Sequence, residues 1–262
     1  MKLLRAVYSV FVWAWVAVWF AACVSAALMV AIVSREAALA MARLIWVKPV
    51  LWVAGARLRV ESLPEMDWKK PHIFAMNHQS NLDIPAAILA LPVKLRIVAK
   101  HSLRLVPFMG WYMWATGMIF VDRGNRARAV ASLKLAGQRI RAGANILIFP
   151  EGTRSRDGKI LPFKKGTFAL ALEAGVPIVP VAIHGSGTVQ PADEWTVHPG
   201  VIRVKVGQPI PTEGRSIAER EALANEVREA TIRLHLEIGG QGGDAVALPP
   251  PGKSGAGKRQ VA

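Results

Sequence analysis

Asn77-His78-Gln79-Ser80-Asn81-Leu82-Asp83 joins the apolar run His72–Met76 to a second apolar run that continues to Leu91. A short apolar stretch, a polar loop and a longer apolar stretch make a strand–loop–helix unit, the repeating element of an α/β fold. The loop carries a histidine and an aspartate five positions apart. On a regular helix five residues turn through roughly 500°, so the two side chains would not share a face. They meet if His78 lies in the loop and a helix capped by Ser80 or Asn81 runs from Leu82 to Leu91, folding Asp83 back onto the imidazole. The carboxylate would then fix the tautomer and stabilise the imidazolium formed when the histidine takes a proton. The spacing alone also arises by chance, with the histidine merely hydrogen-bonded beside a turn, so the rest of the chain has to decide.

The same alternation extends outward. From about Arg57, strand-like runs at His72–Met76, Leu95–Ala99, Met118–Val121, Ile146–Phe149, Ile178–Ile183 and Val201–Val206 alternate with helical ones. Asn125 is placed to cap a helix through Arg141 that stops at Gly143, and Thr167–Ala174 stops at Gly175. Ser216 with Glu219 forms a capping-box pattern at the head of a last amphipathic helix ending near Gly239. The expected fold class is α/β: a central, mostly β-sheet core covered by helices, over residues 57–239. Residues 240–262 are rich in Gly and Pro with few apolar anchors and read as a disordered tail. Their Gly257-Lys258 pair is no phosphate loop, since Arg259 follows where Ser or Thr is needed and no strand precedes it.

Residues 1–56 read as a hydrophobic helical membrane anchor. No charge interrupts Ala6 to Ser34, and a helix of that length, roughly 40 Å, exceeds a hydrocarbon core of about 30 Å, so it must tilt, bend or lie partly in the interface. Trp13, Trp15 and Trp19 are placed to anchor it. A cleaved signal peptide competes, with Ser25-Ala26-Ala27 or Phe20-Ala21-Ala22-Cys23 as cleavage sites, but the apolar run continues past both. A second apolar segment, Ala37 to Ala56, carries Arg43 and Lys48 and is broken by Pro49, so it reads as an interfacial or hairpin helix. Basic residues flank both ends of the first helix, which suits equally a monotopic hairpin with both ends facing the cytoplasm and a single span. The formal charge of +15, from 33 Lys and Arg against 18 Asp and Glu, favours anionic partners: nucleic acid, lipid head groups, phosphorylated metabolites or an acidic carrier protein. A membrane-tethered nucleic-acid binder would interleave aromatic with basic residues on one surface, whereas the tryptophans here concentrate in the anchor. The single cysteine, Cys23, excludes an intrachain disulfide and a cysteine-based zinc site.

Three further segments at expected strand ends carry polar residues suited to a phosphorylated substrate. In Phe120-Val121-Asp122-Arg123-Gly124-Asn125 the arginine arrives at a helix start, where guanidinium and amides can jointly hold a phosphate, or else it simply pairs with Asp122. In Phe149-Pro150-Glu151-Gly152-Thr153-Arg154-Ser155 the glycine permits close backbone approach and Arg154 offers a bidentate grip. Glu151 is there to accept from a substrate hydroxyl or to hold an arginine, unless the run is only a tight turn. Val176-Pro177-Ile178-Val179-Pro180-Val181 has prolines at positions a central strand rarely allows, so it reads as an edge strand, with an acyl-binding wall as the other reading.

These four blocks, together with Lys100, Pro107-Phe108-Met109-Gly110-Trp111 and Phe163-Lys164-Lys165-Gly166, resemble the 1-acyl-glycerol-3-phosphate acyltransferases within the wider glycerolipid acyltransferases, in order over residues 70 to 185. The resemblance implies His78 as general base and Asp83 as its partner. It implies an acceptor phosphoglycerol site from Arg123, Glu151, Gly152, Thr153 and Arg154, with Lys100 beside it, and Pro180 in the acyl-donor region. Ser102 departs from the acidic residue many relatives carry after the Lys100 position. The implied reaction is direct transfer from an acyl-CoA or acyl-carrier-protein thioester to the sn-2 hydroxyl of lysophosphatidate, giving phosphatidate with no cofactor, metal or covalent intermediate. Ser80 is the obvious covalent nucleophile, but a serine two residues from its base serves better as a helix cap. The implied partners are the lysophosphatidate acceptor, the thioester donor and the bilayer, without nucleic acid. The implied setting is a bacterial inner membrane, catalytic domain on the cytoplasmic face. Other readings are a related enzyme acting on glycerol-3-phosphate or a lyso-ornithine lipid, and a non-catalytic anchored protein that binds anionic lipid.

Overall fold

The computed structural model describes residues 2–122 and 126–244; Arg123, the Asn125 cap and the tail from 245 onward lie outside them. Helix α1 (Lys2–Val33) is followed by α2 (Arg35–Met41), a π-helical turn at Ala42–Trp46 and α3 (Val47–Val53). Ser34 separates the first two: its backbone is extended and its hydroxyl accepts from the Ala37 N–H. Pro49 does not break the second segment. It sits in the third position of α3, and the carbonyl four residues back, Ile45, which proline cannot satisfy, accepts the Trp19 indole N–H at 3.2 Å instead.

The chain then runs through β1 (Ala56–Ser62), β2 (Ile73–Met76), α4 (Asp83–Ala90), β3 (Leu95–Lys100), a 3₁₀ turn at His101–Leu105, α5 (Met109–Ala115), β4 (Ile119–Val121), α6 (Arg126–Arg141) and β5 (Asn145–Ile148). It ends with α7 (Gly166–Ala174), β6 (Ile178–His184), α8 (Ser186–Val189), β7 (Gly200–Val206) and α9 (Arg220–Glu237). One sheet has the strand order β1-β7-β6-β2-β5-β3-β4. Strands β6, β2, β5, β3 and β4 are mutually parallel, and β7, with β1 parallel to it, runs against β6.

All six expected strands are present within a residue or two. The seventh, β1, was hidden by its composition: Ala-Arg-Leu-Arg-Val-Glu-Ser is mostly exposed beyond its first residue and has the charge content of a linker. The edge-strand reading of β6 needs correction. It lies between β2 and β7 and is buried along nearly its whole length. Pro180 fits there because β7 has already ended at Val206; the Pro180 carbonyl accepts from Gly207 N–H at 2.8 Å, and the nitrogen that cannot donate faces no strand residue.

Alternation along β2, β5 and β6 feeds two cores. Phe74, Met76, Leu147, Val179 and Val181 pack under α3 and α4, with Val12 and Leu39 from α1 and α2 in the same cluster. Ile73, Ala75, Ile146, Ile148 and Ile178 pack under α6, α7 and α9. Each fully buried Ile, Leu or Phe contributes about 1.5–3 kcal/mol. The anchor and the α/β body therefore share one core.

Candidate active site

The central strands deliver the site. β2 and β5 are neighbours, and their chains leave in opposite directions, β2 toward β3 and β5 toward β6, so their carboxyl ends open a crevice at a topological switch point. Asn77, just past β2, continues the sheet with its side chain: Nδ2 donates to the Ile183 carbonyl (2.9 Å) and Oδ1 accepts from its N–H (2.8 Å). That buried amide mimics one more strand residue and fixes where His78 begins.

His78 is held from three sides. Its N–H donates to Glu151 Oε1 (2.7 Å), its carbonyl accepts from Ser155 N–H (2.7 Å), and its ring stacks on Phe149 with centroids 4.1 Å apart. Its Nδ1 lies 2.6 Å from Oδ2 of Asp83, whose side chain is fully buried. The same oxygen accepts from the N–H groups of Gln79 (2.6 Å) and Ser80 (2.9 Å). A buried carboxylate is tolerable only with such charge-assisted donors. Oδ1 has no partner among the described residues. Because a carboxylate only accepts, Nδ1 carries the hydrogen and Nε2 keeps its lone pair.

The helix cap differs from expectation. The helix starts at Asp83, its N-cap is Leu82 without a side-chain bond, and Asp83 itself reaches back to accept from the amides of Gln79 and Ser80. Ser80 Oγ accepts from Leu82 N–H (3.2 Å) and donates to Gln190 Oε1 (3.1 Å), so it is buried away from the imidazole and unsuited to act as its nucleophile.

Glu151 is 2 % exposed, with Oε1 on His78 N–H and Oε2 on Leu161 N–H (3.0 Å), so it braces two loops, and among the described residues no arginine donates a hydrogen bond to it. Burial pushes its carboxyl up to about 8, against the pull of those amides and of Arg228. Arg228 on α9, itself buried, donates to the carbonyls of Leu161 (3.1 Å), Ile160 (2.9 Å) and Asp244 (2.9 Å). Behind His78, the Gln79 amide donates to the Gly158 carbonyl (3.0 Å) and lies 3.2 Å from Nε2 of His235, whose burial lowers its pKa to about 4.

A cavity of about 970 Å³ opens beside His78. Gly152, Thr153, Arg154 and Lys100 line its polar part. Among the described residues neither Arg154 nor Lys100 has an acidic partner. Gly152 has φ +74°, a conformation glycine adopts without strain. Arg43, Lys94, Asn81 and Gln190 also line it, and most of the remaining wall is apolar, from Val16, Phe20, Val24 and Ala27 of α1 to Ile84 and Ile88 of α4 and Met109 and Met113 of α5. Pro180 is not there: it belongs to the opposite face of the sheet, against Gly207 beside Leu234.

The sequence reading missed Asn77, Phe149, Gln190 and Arg228 as organisers. Asn77 and Phe149 open the two quoted stretches but received no role there; for Gln190 and Arg228, distant in sequence, no local signal existed.

Comparison with known proteins points to one family. A family model described as Acyltransferase matches residues 57–184. The chain is 32% identical over 207 residues to the 1-acyl-sn-glycerol-3-phosphate acyltransferase alpha of Homo sapiens, covering 78% of this chain and 73% of that protein. It is 36% identical over 185 residues to an uncharacterized acyltransferase of Schizosaccharomyces pombe, covering 70% of this chain and 66% of the relative. The crystal structure of the 1-acyl-sn-glycerophosphate acyltransferase PlsC from Thermotoga maritima superposes with a TM-score of 0.78 at 28% identity, over 90% of this chain and 97% of that one.

Proposed function

The chain belongs to the 1-acyl-sn-glycerol-3-phosphate acyltransferases of the Acyltransferase family, and from that membership we propose that it transfers an acyl group from a thioester to the sn-2 hydroxyl of 1-acyl-sn-glycerol-3-phosphate, giving phosphatidate. The observation that carries the reading is the Nδ1–Asp83 bond, which leaves Nε2 as the acceptor of a His78 ring that lines the same mainly apolar chamber as Lys100, Gly152, Thr153 and Arg154.

Nε2 takes the hydroxyl proton as the acceptor oxygen attacks the thioester carbonyl carbon. The tetrahedral adduct collapses with cleavage of the carbon–sulfur bond, and the proton passes from Nε2 to the leaving thiolate. Asp83 stabilises the transient imidazolium, and Phe149 holds the ring plane. Arg154, Lys100, Thr153 and Gly152 bind the acceptor phosphate end, joined by Arg123, and the apolar chamber takes an acyl chain. Glu151 acts one step removed, by fixing the backbone of His78.

The exposed apolar surface of α1 supports membrane association. Its other side is held by Tyr8 Oη on the Val53 carbonyl of α3 and is tied to the body by Ser9 Oγ on Val197 N–H and Trp13 Nε1 on the Trp195 carbonyl. That supports a monotopic seat, with the soluble, acidic acyl-CoA or acyl-carrier-protein donor arriving at a basic face. We assign the catalytic domain to the cytoplasmic side of a bacterial inner membrane.

The test is phosphatidate formation in mixed micelles from radiolabelled lysophosphatidate with both donors, beside His78→Ala and with glycerol-3-phosphate and lyso-ornithine lipid as competing acceptors. The expected result is turnover of lysophosphatidate that falls about a hundredfold or more in the variant. Turnover of another acceptor alone, or activity that survives the substitution, overturns the assignment.

A further inference from the structure

We propose that residues 103–114 form a second membrane-contacting element that seats on an anionic lipid surface beside α1. The inference goes beyond the acyl-transfer reading and does not depend on it. Helix α5 carries no charged residue and is apolar on both sides. Its inner side, with Met109 and Met113, lines the chamber. Its outer side holds Trp111 and Trp114, 53% and 62% exposed, and the preceding turn adds Leu105 at 81%. A helix apolar all round is normally buried or in a membrane, and nothing in the described chain buries this outer side.

The local backbone aims these residues outward. A three-residue turn with Phe108 at φ +59° and Met109 N–H on the Pro107 carbonyl (2.6 Å) reverses the chain. Gly110 then packs against the Arg104 carbonyl so tightly that a Cβ would lie 2.2 Å from the oxygen. The 3₁₀ turn and α5 are thus held together as one unit.

Charge and position name the occupant. A cavity of about 410 Å³ beside Trp114 is lined by Arg35, His101, Arg104 and Arg139, with Asp122 as the one carboxylate among its lining residues. From Leu95 to Val121 the sequence contains no Asp or Glu. Arg35 stands two residues past Val33, which with Ile32 forms the exposed apolar end of α1, and α1 packs against α5, so the cavity's cations lie beside both apolar elements. Tryptophans flanked by cations belong at the headgroup level of an anionic leaflet. Continuity with α1 makes the two elements one footprint and turns the chamber wall formed by α5 toward the lipid.

The experiment uses the full chain in a Cys23→Ala background, with an environment-sensitive fluorophore on Leu105→Cys or, as a reference, on exposed Glu213→Cys. Each is mixed with phosphatidylcholine vesicles, alone or with phosphatidylglycerol as about one lipid in three. The expected result is a blue shift at position 105 and none at 213, stronger with the anionic lipid and weakened by salt. In parallel, Leu105→Ser/Trp111→Ser/Trp114→Ser should lose roughly tenfold or more in anionic-vesicle affinity with α1 intact. A label at 105 that stays as water-exposed as at 213 overturns the proposal whether or not the triple variant folds. A triple variant that binds vesicles normally but breaks a dimer overturns it too, assigning the face to a second copy.

Discussion

Asp83→Asn separates the two services that the Asp83 carboxylate gives to His78. Oδ2 collects three donors, two of them backbone N–H groups that cannot turn away, while Oδ1 has no partner among the described residues. An asparagine must therefore set its carbonyl oxygen in the Oδ2 place and its NH₂ in the empty one. The imidazole keeps its Nδ1–H, so the tautomer survives and only the charge is lost. Taking the charge centres as about 4 Å apart, an imidazolium–carboxylate pair is worth about 4 kcal/mol at an effective dielectric of about 20. The His78 side chain is 18% exposed, which trims that figure, leaving a loss of about 10²–10³ in rate. The assay is kcat/KM for phosphatidate formation by Asp83→Asn, Asp83→Ala and His78→Ala, each with a thermal melt. Asp83→Ala should fall below Asp83→Asn, because the Gln79 and Ser80 amides then lose their acceptor at about 1–3 kcal/mol each. Asp83→Asn at nearly the parental rate would refute the electrostatic role. Asp83→Asn as slow and as heat-labile as Asp83→Ala would refute the argument that the amides choose the oxygen.

Two further perturbations test the scaffold. Glu151 is pushed from 4.5 to about 8, so between those values the folded state holds a proton that the unfolded chain has released, and its stability contribution is lost as pH rises toward 8. The lowered histidines His72, His184 and His235 act in the opposite sense, but only below their unfolded value of 6.5. From about pH 7 to 8 the unfolding free energy should therefore fall with a slope of at most about 1.4 kcal/mol per pH unit, the melting temperature falling with it, and Glu151→Gln should flatten that slope. Arg228→Met leaves three carbonyls without their donor and should cost about 2–4 kcal/mol in a denaturant melt, lowering kcat more than it changes KM. Arg228→Lys should recover part of both.

Much of this was readable because the informative residues are local. The strand at Ile73–Met76, the turn at His78 and the helix from Asp83 follow one another without interruption, so periodicity and a loop suffice. The capping box at Ser216 and Glu219 is equally local and forms. Long-range bonds were illegible. Nothing near Glu151 says that its oxygens will meet the amides of His78 and Leu161, because that requires knowing that β2 and β5 are neighbours. Pro180 misled for the same reason: proline excludes a donor, but only the strand order reveals that no acceptor waits on that side. The boundary at residue 56 was read from a change in polarity; β1 begins at Ala56, and buried residues of α1 to α3 pack in one cluster with those of the sheet, a contact that polarity does not reveal.

That α1 is both the apolar tether and a wall of the chamber has a practical corollary. A version trimmed of its first helix would not be a soluble catalytic domain. It would present Leu39, Ile84 and Met113 to water along an open trough and lose the Ser9 and Trp13 contacts that secure the loop before β7. Evolution toward a cytosolic form would thus require a replacement lid of similar apolar area, not a deletion. In the intact protein, a change on the lipid side of α1 and a change in which chains the chamber accepts are alterations of the same helix, so attachment and selectivity cannot drift apart freely.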